Sequence, residues 1–257
     1  NLNYSRRISR PGYRSLDPYR AYATLYHYNQ GNPFLRPSFN NNIELAYTYG
    51  GRYSSSAFYQ HEQNHSGPVW IIDTLQNVTS GISKNFADFK AYGLNATGTF
   101  QPLPCWEMQT QLSIQLQQLN SKEYTQVEQS YTLPMYYASL NNSFSLNKDR
   151  TLLAEASFFY LSKYRDDFLE IDPIGSIDIG IKALLLDRKL TLALNATDLL
   201  ATQRGRGVHV VTGQTINNYF DTRNIRISAT YKFGSAKVKA RSQRNTGIEE
   251  EKSRAGS

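Results

Sequence analysis

The sharpest chemical signal in the chain is His61-Glu62-Gln63-Asn64-His65. It spells H-E-x-x-H, in which two imidazoles on one helix face hold zinc and the glutamate serves as general base. That chemistry requires helical spacing. Here Tyr53–Tyr59 upstream reads as a strand and Gly67-Pro68 follow at once. On a strand the two imidazoles would stand about 13 Å apart, too far to share one ion. The next glutamate is Glu107, so the usual downstream ligand is missing too. The sequence predicts polar side chains near a rim, with no metal and no catalytic residue.

Other titratable candidates are weaker. His27 and His209 stand singly in long loops and are expected to be solvated, although a lone histidine can serve as a proton switch. Asp166, Asp167, Glu170 and Asp172 gather carboxylates in one loop, but without the glycine and closing glutamate of an EF-hand. The first 36 residues hold Arg6, Arg7, Arg10, Arg14, Arg20 and Arg36 against the single acid Asp17, with Tyr13, Tyr19, Tyr22, Tyr26 and Tyr28 interleaved. Arginine and tyrosine together suit anionic or ring-shaped ligands through paired hydrogen bonds and stacking. Arg14, Tyr19, Arg20, Tyr22 and Tyr26 are the ligand-binding candidates, for a small ligand of unknown identity. The same mixture suits an aromatic girdle and lipopolysaccharide phosphates. A net charge of +7 raises nucleic-acid binding as a class, but the basic residues are scattered over loops and tail without a recognition motif. Neither nucleic acid nor a cofactor is expected as a partner.

The elements that must position these residues are legible in the apolar pattern. No run of 18 apolar residues occurs, which excludes a transmembrane helix. Mean hydropathy is −0.54, yet a barrel that hides apolar residues at alternate positions would also average out polar. Ile225, Ile227, Ala229, Tyr231 and Phe233 occupy one parity, and Asn224, Arg226, Ser228, Thr230 and Lys232 the other. Period two over ten residues is a strand with one greasy face. The pattern recurs at Trp106–Gln117, Leu190–Thr197, Ile177–Ala183 and Ile43–Tyr49, and more loosely at Tyr92–Phe100 and Ala138–Phe144. Leu152–Leu161 is apolar on both faces. Short turns at Gly50-Gly51, Pro102–Cys105, Asn147–Arg150 and Asp187–Lys189 alternate with long connections at Arg10–Pro37, Ser121–Leu133, Arg165–Pro173 and Leu200–Asp221.

This rhythm predicts an all-β, antiparallel up-and-down transmembrane β-barrel, as a C-terminal fragment of about ten strands. Ten to twelve residues per strand, tilted about 45°, cover the roughly 25 Å apolar band of an outer membrane. The opposite parity, with Glu107, Gln109, Gln111, Gln115 and Gln117, is too polar for a packed core and fits a wet or plugged lumen. Residues 1–234 are read as barrel and 235–257 as a disordered, charged periplasmic tail. The single Cys105 excludes an internal disulfide. The alternatives are a passive porin or structural barrel without a plug, and a soluble β-sandwich binding protein.

Three passages resemble the barrel of TonB-dependent receptor-like outer-membrane proteins. They are Tyr4-Ser5-Arg6-Arg7-Ile8-Ser9-Arg10-Pro11, then Leu16-Asp17-Pro18-Tyr19, then Gly31-Asn32-Pro33-Phe34-Leu35-Arg36-Pro37. Arg10, Pro11, Gly31, Asn32 and Pro33 form the family's loop motif. Arg226–Gly234 is similar to the family's final strand, whose terminal aromatic, here Phe233, is associated with barrel assembly, and Asn195–Leu199 to its penultimate strand. The resemblance implies a Gram-negative outer-membrane location and a full barrel of about 22 strands with an N-terminal plug and energy-coupling box upstream. It further implies a non-enzymatic receptor that imports its ligand. Its partners would be outer-membrane lipid and lipopolysaccharide, the barrel-assembly machinery and a TonB-type energy-coupling protein.

Overall fold

The computed structural model describes residues 1–73, 75–121 and 130–233. Its strands are β1 (Leu2–Ser9), β2 (Arg20–Thr24), β3 (His27–Gln30), β4 (Ser38–Tyr49), β5 (Tyr53–Asp73), β6 (Val78–Leu103), β7 (Trp106–Ser121) and β8 (Tyr131–Ser145). They continue as β9 (Leu152–Leu161), β10 (Tyr164–Asp166), β11 (Leu169–Ile171), β12 (Ile174–Leu185), β13 (Leu190–Thr197), β14 (Arg204–His209), β15 (Thr215–Tyr219) and β16 (Asn224–Tyr231). One helical turn, α1 (Tyr13–Leu16), precedes β2.

Ten of these strands form one antiparallel meander, in the order β1, β4, β5, β6, β7, β8, β9, β12, β13, β16. The sheet is open, with β1 and β16 at its two edges. Its tight turns follow β4, β6, β8 and β12, where the sequence places them. The last strand ends at Tyr231, two residues before the alternation does; Phe233 lies beyond it, exposed, with its ring 4.7 Å from that of Tyr231. The 235–257 tail lies outside the described residues.

Register converts the period-two pattern into two surfaces. Leu45 faces Ala57, Ala57 faces Leu94, Leu94 faces Ile114 and Ile114 faces Tyr136 across successive strands. Farther along, Ala154, Ile181, Leu194 and Ile227 form a second such row. The opposite parity aligns Thr99, Gln109, Asn141, Ser157 and Asp178. Leu94, Ile114 and Ile227 are 62%, 55% and 80% exposed. Rows of this kind are far too apolar for a surface in water. They match acyl chains on one side and a polar lumen on the other, and among the described residues the meander is a single layer with no second sheet behind its apolar rows, so the sandwich alternative falls.

Two strands break the expected length. β5 spans 21 residues and β6 spans 26, and β5 runs straight through Gly67-Pro68. Pairing with β4 stops at Gln63 and pairing with β7 stops at Ala87, yet β5 and β6 stay paired to Asp73 and Val78. Pro68 is tolerated because that stretch of β5 is an edge, where no N–H is demanded. About ten residues of β5 beyond its tight turn already cross the apolar band, so the part past Glu62 projects beyond the membrane. A bulge marks the transition, with Asn64 in the left-handed region at φ 57°.

Candidate functional site at the long-loop rim

The first connection crosses β5. Its hairpin, β2 and β3, reaches the free edge of β6, where His27–Gln30 pairs in parallel with Thr79–Ile82. This parallel pair is the one departure from the expected antiparallel sheet among the described strands. His27 is fixed there, its ring 5.1 Å from that of Trp70.

The loop motif is a backbone clasp. The Gly31 N–H donates to Asp17 O (2.8 Å) and the Asn32 N–H to Ser15 O (2.7 Å). A Cβ on Gly31 would stand 2.5–2.7 Å from Asp17 and Ser15 backbone atoms, so only glycine permits the approach. Asn32 Oδ1 then accepts the Phe34 N–H at 3.0 Å, turning the chain around Pro33. Arg10 and Pro11 lead out of β1, with Arg10 exposed.

The structure brings together part of the predicted ligand set. The Arg20 guanidinium lies over the Tyr28 ring at 4.7 Å, and the Tyr22 ring is 5.4 Å from Tyr28 on the same hairpin face. Tyr26 sits at the hairpin turn, its carbonyl accepting the Thr79 N–H at 2.8 Å. Arg14, on α1, and Tyr19 point outward with no partner in this group; Tyr19 is 82% exposed.

A second assembly at this rim has no counterpart in the sequence pattern. The connections after β9 and β13 fold together into a four-stranded sheet, β10-β11-β14-β15. It docks through Phe168 onto Val69, Phe86 and Leu119 of the strand extensions, with Val210 and Val211 packed beside them. Phe168 and Phe86 rings are 4.8 Å apart. These residues are most of the buried apolar core among the described residues. Sequence reasoning missed them because two loops far apart in the chain supply one surface. The only hint was apolar residues such as Phe168, Val210 and Val211 inside otherwise polar loops.

The H-E-x-x-H histidine belongs to this docking contact. His65 Nε2 is 2.7 Å from Asp167 Oδ1, and Nδ1 stands 3.3 Å from Glu62 Oε1. Burial disfavours the imidazolium, but the hydrogen bond to Asp167 and the nearby Glu62 carboxylate outweigh it and carry its pKa to about 10. His65 is therefore a half-buried cation that ties a loop to a strand. His61 belongs to the neighbouring register, opposite Lys90. Glu170 of the same loop is likewise held by protein cations, Lys163 at 2.8 Å and Arg165 at 3.1 Å, which hold its carboxyl below the usual range. No cluster fit for a metal ion occurs among the described residues.

His209 corrects the expectation of a solvated loop histidine. It is buried at the end of β14, with Nδ1 near the Thr212 hydroxyl (3.0 Å) and accepting the Thr212 N–H (3.2 Å). Burial lowers its pKa and keeps the ring neutral. At the base of the same loop, Asp198 is 2% exposed and accepts from the Thr222 hydroxyl (2.7 Å) and the Thr202 N–H (2.9 Å).

A single-layer antiparallel sheet with one apolar face, one polar face, tight turns at one rim and folded loops at the other defines an outer-membrane β-barrel protein. The chain belongs to the outer membrane protein β-barrel family, whose model matches residues 1–231, and its place is the Gram-negative outer membrane. Among solved structures it is similar to the ferric enterobactin receptor of Pseudomonas aeruginosa, with 17% identity and a TM-score of 0.58 over 90% of this chain and 38% of that one. It also resembles the outer membrane transporter YddB of Escherichia coli, with 11% identity and a TM-score of 0.50 over 80% of this chain and 34% of that one. A third likeness is to the FpvAI–pyocin S2 complex, at 18% identity and a TM-score of 0.51 over 77% of this chain and 27% of that one. At such identities the likeness shows the fold, and the chain spans about a third of the receptors' length. No curated protein matches by sequence.

Proposed function

We propose that the chain is the C-terminal part of a TonB-dependent-type receptor, which binds a small ligand at its long loops and imports it through a plugged lumen without making or breaking bonds in it. The observation that carries this reading is the two-faced register. Apolar rows meet lipid on one side, and hydrogen-bonding rows such as Thr99–Gln109–Asn141 line a passage on the other. The long-loop rim faces outward and holds Arg14, Tyr19, Arg20, Tyr22 and Tyr26 for capture. Phe233 serves the assembly machinery, lipopolysaccharide surrounds the rim, and a TonB-type protein supplies energy through the region upstream.

Bilayer conductance of the full-length protein, with ligand accumulation in energised and uncoupled cells, tests this. A closed channel with energy-dependent accumulation is expected. A permanently open channel would instead identify a passive porin.

A further inference from the structure

Where β6 leaves β7, its edge is uncovered for a few residues. β3 pairs with Thr79–Ile82 and pairing with β7 begins at Ala87, so Ser83–Phe86 has no strand partner on that side among the described residues. A pocket of about 430 Å³ occupies this notch, lined by Asn32, Phe34, Arg36, Asn64, Lys84 and Asn85 together with Phe86 and Ala87 of β6. Its floor is rigid. Asn85 Oδ1 accepts the Arg36 N–H at 2.7 Å, while Asn85 Nδ2 donates to Arg36 O (2.9 Å) and Asn64 O (2.8 Å).

The charge is one-sided. Among the described residues no carboxylate lines the pocket, and neither the Arg36 guanidinium nor the Lys84 ammonium has an ion-pair partner. Asp88, the nearest acid along β6, takes the Asn64 N–H at 3.2 Å and does not line the cavity. The Asn32 amide oxygen is used by Phe34, which leaves its NH₂ to donate. Phe34 stands exposed at the mouth and offers an apolar wall. Two cations without an ion-pair partner among the described residues, amide donors and a preformed floor recognise oxyanions.

We infer that this notch is a subsite for a polyanionic group, a cluster of carboxylate or phosphate oxygens, held between Arg36 and Lys84. Its purpose as a capture point rests on the receptor reading, but binding is measurable without uptake. The group reaches the notch either on a soluble ligand or on a lipopolysaccharide headgroup.

The test is lysine acetylation of the full-length protein in detergent, read by mass spectrometry, with citrate, pyrophosphate or purified lipopolysaccharide as probes. At least one of them should protect Lys84 while leaving Lys148 and Lys189, at the opposite rim, unchanged. Protection by citrate or pyrophosphate assigns the anion to a soluble ligand; protection by lipopolysaccharide alone assigns it to the headgroup. Arg36→Gln should weaken the protecting probe by roughly tenfold, the loss of one charge-assisted pair, while Lys84→Arg should retain its affinity in calorimetry. Lys84 labelling unaltered by all three probes, or Arg36→Gln binding as the wild type does, overturns the subsite. An open channel that still protects Lys84 would overturn the receptor reading and leave the subsite standing.

Discussion

Replacing His65 by alanine removes the cation between Glu62 and Asp167 and part of the wall beside Phe86. The 2.7 Å bond to Asp167 joins groups whose side chains are 22% and 28% exposed, so it retains most of the strength of a charge-assisted bond, about 1.5–3 kcal/mol. The edge-on contact of His65 with Phe86, at 5.4 Å, adds on the order of 0.5–1 kcal/mol. A loss of about 3 kcal/mol raises the undocked population of the four-stranded loop sheet by roughly 10². The barrel itself should stay folded, because none of its lipid-facing rows is touched. Amide hydrogen exchange in the full-length protein reads this directly at Tyr164–Ile171 and Arg204–His209. A pH series supplies the second arm. The His65 pKa is raised from 6.5 to about 10, so its contribution is fully present below pH 6.5 and is lost as pH rises through 10. Between those limits docking weakens steadily as pH rises. After correction for intrinsic exchange, protection should therefore fall from pH 7 to pH 9 in the wild type and stay flat in His65→Ala. Equal protection in both proteins across this range would refute the latch.

Further expectations concern the wall and the loops. Arg at Leu192 or Ile227 should impair membrane assembly, costing on the order of 2–4 kcal/mol near the midplane, whereas Arg at Thr191 or Ser228 should be tolerated; heat-modifiability on gels distinguishes them, and equal effects would contradict the facing. Gly31→Ala should spring the clasp between Ser15–Asp17 and Gly31–Asn32, exposing residues 13–36 to limited proteolysis, since its Cβ would meet backbone at 2.5 Å; unchanged cleavage would show that the clasp relaxes freely. Asp198→Ala should strand the Thr222 hydroxyl and the Thr202 N–H, costing about 1–3 kcal/mol, seen as faster exchange in 199–222 while β12 and β13 remain protected. Glu170→Gln should weaken its pairs with Lys163 and Arg165 and remove the loss of loop protection expected as pH falls through the lowered Glu170 pKa.

The barrel wall was readable because a half-lipid, half-water environment writes itself into every second residue. Ile225–Tyr231 and Trp106–Leu116 needed no tertiary information to declare their faces. The rim was not readable in the same way. β10 and β11 are three residues each, too short for a period; they pair with each other, and β11 gains its second neighbour from β14, more than thirty residues later. Gly67-Pro68 stays inside β5 because edge strands tolerate a proline that central strands do not, and being an edge is a property of the neighbours. His65 was legible as a chemical motif and misleading as one: the bulge at Asn64 places it opposite Asp167, a residue no local spacing could bring near. The loop motif was legible as a spelling, and its clasp explains why Gly31 must be glycine. The five ligand-capture candidates were chosen by composition, and geometry groups only Arg20 and Tyr22.

The shared sheet at the rim also constrains how the two loops can diverge. Leu169–Ile171 lies in register with Gly207–His209, so one residue inserted near Asp167 would turn Phe168 from the docking face toward solvent. Length changes in one connection would then have to be matched in the other, and the pair can be transplanted or remodelled only as a unit.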